Sequence, residues 1–190
     1  MSVAAGTVGR MIRYAALLRG IMPTNPNMRG EKLRGVLSGL GFDAVGSVLT
    51  SGNLVFGCTE TDVPALESQI QQALRAELGI AGGTLVRSRA ELQALVDAAP
   101  FGDRTHGRGS YLTVTFVKDG DPGPPSRPLP KELTSVVNVL GYDPGARAVL
   151  AVIDNTAGST PNHMAWLETM YGKDITTRTW LTVQKVLAKL

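Results

Sequence analysis

The chain predicts an α+β fold of two packed ferredoxin-like (βαββαβ) subdomains, the second degenerate and closed by a C-terminal helix. Short apolar runs alternate with amphipathic stretches in the order β-α-β-β-α-β, then repeat that order in outline after residue 110. Gly and Pro mark nearly every boundary between them. The 190 residues, 43% of them hydrophobic and 18% charged, suit one compact unit or two small ones, since typical domains run roughly 100–150 residues.

Arg13 to Arg19 is apolar through Tyr14, Ala15, Ala16, Leu17 and Leu18 and stops at Gly20, the pattern of a buried central strand. A loop of Pro23, Thr24, Asn25, Pro26 and Asn27 follows. Leu33, Val36, Leu37 and Leu40 then recur at helical spacing until Gly41. Ala44 to Leu49 and Leu54 to Phe56 read as strands joined by a hairpin at Ser51-Gly52. Pro64 opens a helix where its missing N–H costs nothing, and Leu66, Ile70, Ala73, Leu74 and Leu78 carry it to Gly79. Thr84 to Val86 is the fourth strand, and a short helix from Arg89 to Ala98 ends the half.

After the loop Phe101 to Ser110, Tyr111 to Val117 is the clearest strand, β-branched and aromatic throughout. Pro122, Pro124, Pro125, Pro128 and Pro130 exclude a regular helix in the next crossover. Val136 to Leu140 and Arg147 to Ile153 bracket a turn containing Gly141, Asp143, Pro144 and Gly145. Thr160-Pro161 starts a helix through Tyr171 that Gly172 caps; Ile175 to Thr179 is a strand and Trp180 to Leu190 the closing helix. The division expected is a disordered tail 1–10, a subdomain 11–100, a linker 101–110 and a subdomain 111–190, with Met1 and Met11 both open as the start. Subdomains of roughly 90 and 80 residues are each marginal alone, so the halves should depend on each other.

Composition excludes several classes. A single Cys58 cannot staple a secreted fold. No run reaches the roughly 18 apolar residues of a membrane span, and Met1 to Arg10 lacks the basic and apolar regions of a signal peptide. A cytoplasmic location is expected. A net charge of +3 and a pI near 9.2 permit anionic partners without demanding them.

Three separated motifs carry a family resemblance: Tyr14-Ala15-Ala16-Leu17-Leu18-Arg19-Gly20-Ile21; Leu40-Gly41-Phe42 ahead of Ser51-Gly52-Asn53-Leu54-Val55-Phe56; and Ile175-Thr176-Thr177-Arg178-Thr179-Trp180. In this order, over Met11 to Leu190, they resemble the bacterial family called domain of unknown function 1697, in a divergent, actinobacterial-like branch. The resemblance implies no activity. The loop Met22 to Asn27 and the stretch Arg178-Thr179-Trp180-Leu181-Thr182 depart from the commoner family pattern, as does Thr160-Pro161. A polar site built there in other members is therefore changed or absent here.

In a βαββαβ unit the end of strand one, the hairpin between strands two and three and the loop before strand four share one end of the sheet. Arg19, Asn25, Asn27, Ser51 and Asn53 should therefore cluster, with Gly79 to Gly83 beside them. Guanidinium, amides and Gly-flanked N–H groups suit a small polar or anionic ligand. The same residue types also make turns, caps and tethers, and both readings stand. Arg178 next to Trp180 is the second cluster, either a phosphate or base clamp or a tether between the halves, with Thr179 as a helix cap.

No catalytic constellation is legible. Ser51 lies in no nucleophile elbow, and His106 and His163 are too few and too separated for a triad or zinc site. No phosphate-loop or dinucleotide glycine pattern occurs. No metal or cofactor is called for. The reading is a small-ligand-binding or regulatory module, monomeric or homodimeric. The alternatives are a nucleic-acid reader on a sheet face, for which Tyr14, Phe56, Tyr111 and Phe116 are few aromatics, and an enzyme of unrecognised type.

Overall fold

The computed structural model describes residues 9–118, 120–156 and 162–190. The expected tail, apart from its last two residues, and the helix start at Thr160-Pro161 lie outside them. In the first half β1 (Ile12–Leu18) is followed by α1 (Gly30–Gly39), β2 (Asp43–Val48), β3 (Asn53–Cys58), α2 (Val63–Leu78), β4 (Thr84–Ser88) and α3 (Arg89–Asp97). The second half runs β5 (Ser110–Val117), β6 (Val137–Asp143), β7 (Ala148–Asp154), α4 (Met164–Tyr171), β8 (Ile175–Thr179) and α5 (Trp180–Lys189).

Both halves make a four-stranded antiparallel sheet with the ferredoxin-like strand order, β2-β3-β1-β4 and β6-β7-β5-β8. Among the described residues the second has no helix in its first crossover, where the prolines remove donors and clash with a preceding turn. Two boundaries differ from the sequence expectation. Gly141 and Asp143 lie within β6, which absorbs a bulge between Val139 and Gly141 instead of turning there. Arg147 precedes β7 in a left-handed conformation, φ 49°. Pro26–Met28 adds a 3-10 turn where a loop was expected.

Local chemistry sets the helix ends. Asp62 caps α2, and Gly79 at φ 69° ends it. Ser88 and Glu91 form a reciprocal capping box on α3, while Thr179 caps α5 with its hydroxyl alone.

Period-two alternation divides each sheet between two cores. Tyr14, Ala16, Leu18, Leu54 and Phe56 face α1 and α2, whose Leu33, Leu37, Ile70 and Leu74 close over them. Ala15, Leu17, Val55 and Leu85 turn the other way and share one core with Leu112, Val114, Phe116 and Leu150 of the second sheet. Leu92 and Leu95 of α3 and Trp180, Val183 and Val186 of α5 belong to that same core, so the halves are joined by apolar packing. Complete burial of one such Leu or Phe contributes about 1.5–3 kcal/mol. The outer face of the second sheet has a smaller core, Val117, Val149 and Ile175 under Trp166 and Leu167 of α4.

Candidate functional site

The end of β1, the β2–β3 hairpin and the loop before β4 do meet. The Leu18 N–H donates to Gly52 O at 2.8 Å and the Arg19 N–H to Gly83 O at 2.8 Å. The approach is close enough that a Cβ on Gly82 would lie 2.0 Å from Arg19 O, so only glycine fits there.

Arg178 reaches this end from β8. Its Nε donates to Asn53 Oδ1 at 2.5 Å, Nη1 to Thr176 Oγ1 at 2.8 Å and Thr177 O at 2.9 Å, and Nη2 to Leu18 O at 2.7 Å and Ser51 O at 3.4 Å. Burial pushes its pKa down to about 10, which leaves it charged at neutral pH. Asn53, itself buried, turns its amide to Val48 O at 3.1 Å and Ser51 Oγ at 3.0 Å. Ser51, Asn53 and Arg178 thus form one network that ties the halves. The hollow beside Asn53 has a volume of about 10 Å³, around the least that one water requires.

The other sequence candidates have separate partners. Arg19 Nη2 pairs with Glu168 Oε1 at 2.5 Å across the two halves. Asn25 caps the 3-10 turn through the Asn27 N–H at 3.0 Å, and Asn27 accepts from Lys32 at 2.8 Å.

A second arginine network escaped the sequence reading. Arg87 on β4 is 0% exposed. It donates to Ala146 O at 2.7 Å, Val86 O at 2.7 Å and Val117 O. Glu67 Oε1 lies 3.8 Å from its Nη1, and its guanidinium sits 5.6 Å from the Phe116 ring centroid. Burial, then the charge of Arg147, pushes its pKa to about 10. Arg87 meets the end of β5 and the β6–β7 turn just as Arg178 meets the end of β1 and the β2–β3 turn. The signal was present: Thr84-Leu85-Val86-Arg87-Ser88 and Ile175-Thr176-Thr177-Arg178-Thr179 each run strand, arginine, hydroxyl cap, helix.

Open space lies elsewhere. A cleft of about 780 Å³ at the opposite end of the first sheet is lined by Arg10, Arg13, Tyr14, Ser88, Arg89 and Glu91 among others. Glu91 is engaged, one oxygen by Ser88 N–H and Oγ at 2.6 and 2.7 Å, the other 3.4 Å from Arg147. Arg13 donates to Leu190 O and Ala44 O. Among the described residues Arg10 and Arg89 have no ion-pair partner. Met11, Ile12 and Val63 supply apolar wall.

Nucleophile and base chemistry finds little footing among the described residues. Burial pushes the Cys58 thiol up, away from the thiolate that reacts. His106 accepts the Leu112 N–H at 3.1 Å and stacks on Tyr111. No group of three or more His, Cys, Asp or Glu side chains is placed to hold a metal among the described residues. No helix of the described residues is long and apolar enough to cross a membrane.

No curated protein matches this chain. The solved structure of the conserved bacterial protein SP0830 from Streptococcus pneumoniae is similar, with a TM-score of 0.66 over 95% of this chain and 99% of that one. The two sequences are 18% identical, and the likeness is one of fold. The model of a family described as protein of unknown function (DUF1697) matches residues 11–135. That match spans well over half of a chain whose strand order and arginine-tied halves are now described, and the chain belongs to the DUF1697 family.

Proposed function

We propose that this protein is a ligand-binding or regulatory module that takes a small anionic ligand in the 780 Å³ cleft at the start of β1. The observation that carries the reading is the pair Arg10 and Arg89, which face the cleft without a carboxylate partner among the described residues. Guanidinium forks bind carboxylate or phosphate bidentately, and the apolar wall suits the body of a small organic anion. The Arg19, Ser51, Asn53 and Arg178 end has less support as a ligand site, because its donors other than the buried Arg19 Nη1 are engaged within the protein. A nucleic-acid platform has less support too, since Tyr14, Phe56 and Phe116 are buried. The division into subdomains 11–100 and 111–190 around a linker 101–110 belongs to the same proposal.

The test is a thermal-shift screen of the full chain with nucleotides, sugar phosphates and carboxylates, followed by titration of any hit. Arg10→Ala and Arg89→Ala should each weaken a hit about tenfold, the worth of a charge-assisted hydrogen bond. Failure of every anion class to raise the melting temperature would overturn the reading, as would a hit insensitive to both substitutions.

A further inference from the structure

The two halves repeat the same backbone but finish one corner of it differently. Ala15 pairs with Arg87 and with Val55, and Val114 pairs with Arg178 and with Leu150. Carried along the strands, this register sets Arg13 against Leu112 and Met11 against Ser110. In each half the outer strand stops before the central strand does: the last pair is Tyr14 with Ser88 in the first and Thr113 with Thr179 in the second. There α3 and α5 begin. The start of β1 and of β5 is thus left with one free edge.

Alternation decides which groups that edge offers. The Lys118 N–H donates to Asp174 O at 3.0 Å on the β8 side, so the N–H groups of Leu112 and Ser110 turn to that side as well. Both are taken by the chain that precedes β5. Ser110 and Gly107 exchange backbone hydrogen bonds at 2.9 and 3.2 Å, and His106 Nδ1 accepts the Leu112 N–H at 3.1 Å. An extended segment ending at Gly107 therefore completes the second sheet where β8 leaves off.

The first half has the edge without the segment. The Arg19 N–H donates to Gly83 O on the β4 side, which turns the N–H groups of Arg13 and Met11 to that side, beyond the last β4 pair. A Cβ on Gly9 would lie 3.1 Å from Thr59 Cβ, so the chain enters β1 beside the end of β3 and does not double back over the free edge. The 780 Å³ cleft occupies that place. Arg89 follows the last β4 pair and Arg10 precedes Met11, so the two arginines bracket a gap of about 13 Å, the length of about four extended residues. Ile12 and Val63, which pack against the outer core, wall one side of it. Glu91, the one carboxylate lining the cleft, is turned to Ser88 and Arg147. Residues 1–8 of the same chain hold no carboxylate side chain and do not match that charge.

We infer that the cleft takes an extended acidic peptide segment of a partner protein, which adds a short strand to β1 at Met11 and Arg13 and meets Arg10 and Arg89 with its carboxylates. Strand addition supplies affinity through main-chain hydrogen bonds and selectivity through alternate side chains. This rests on the anionic reading of the cleft and names its ligand.

Calorimetric titration of the full chain with the blocked peptide acetyl-Val-Asp-Val-Asp-Val-amide tests it. Saturable binding is expected, weakened about tenfold by Arg10→Ala or Arg89→Ala and at least tenfold when lysine replaces both aspartates. Two N-methylated versions, each blocking alternate backbone N–H groups, should part company: the one that blocks the edge facing β1 fails and the other binds. Hydrogen exchange at the Arg13 N–H should slow on binding. Loss of no affinity in either N-methylated peptide, equal binding of the lysine peptide, or unchanged exchange at Arg13 would overturn the inference. So would a small carboxylate or phosphate that binds in an Arg89-dependent way while the peptide does not, a result that leaves the anionic reading standing. Absence of binding by any anion removes both.

Discussion

Arg87 and Arg178 occupy the same place in the two halves, yet their surroundings differ. Arg87 is 0% exposed, with the carboxylate of Glu67 at 3.8 Å and the face of Phe116 beneath it. Arg178 is also deeply set but faces a neutral amide, Asn53, and two backbone carbonyls of the other half. One clasp is an ionic cluster in an apolar core and the other a fan of charge-assisted hydrogen bonds. A repeated backbone thus conserves the position of a tether without conserving the means of neutralising it. The outer faces differ in parallel. Two helices and a large apolar core cover the first sheet, while one helix and the proline-bearing crossover cover the second.

That difference sets the expected order of damage. Arg87→Ala should be the most harmful, costing about 3–5 kcal/mol, because it leaves Glu67 buried without its cation and strands the Ala146 and Val117 carbonyls. Urea unfolding would register the loss, and Arg87→Lys should recover little of it since an ammonium cannot reproduce the planar fork. For Arg178→Ala a smaller loss of about 1.5–3 kcal/mol is expected, as only neutral groups are stranded. If calorimetry instead found Arg178→Ala to be the worse of the two, the ionic character of the first clasp would not be what distinguishes them. The smallest effect belongs to another bridge between the halves, Arg19 with Glu168, whose side chains are 31% and 28% exposed. Solvent screens that pair, so a double-mutant cycle should give a coupling below about 1 kcal/mol. Arg19→Ala should accordingly leave the melting temperature nearly unchanged.

Element by element, the fold was open to reading because each signal is local. Leu33, Val36 and Leu37 mark one face of α1, Pro64 and Gly79 frame α2, and the prolines from 122 to 130 exclude a helix. The bulge at Gly141 was not open to it. A glycine in a strand and a glycine in a turn look alike until the pairing with β7 is known. The polar cluster was half legible. Topology alone brought Ser51 and Asn53 to the end of β1, and residue type left Arg178 as either a clamp or a tether, but whether those donors faced a ligand or one another depends on contacts across 125 residues. Arg87 stayed hidden because the sequence ends the fourth strand at Val86, and a single arginine just past it carries no local signal of burial. Its partners, Ala146 and Val117, belong to the other half.

By itself the sequence determined the order of strands and helices, their caps and the absence of a crossover helix in the second half, since hydrophobic period, proline and glycine act within a few residues. Only the tertiary structure decided that the two sheets share a core, that two related arginines bind each half to the other, and that open clefts lie at the far end of each sheet from the cluster the motifs point to. Those outcomes depend on which distant groups satisfy one another. A buried guanidinium finds its carbonyls only once both halves are in place.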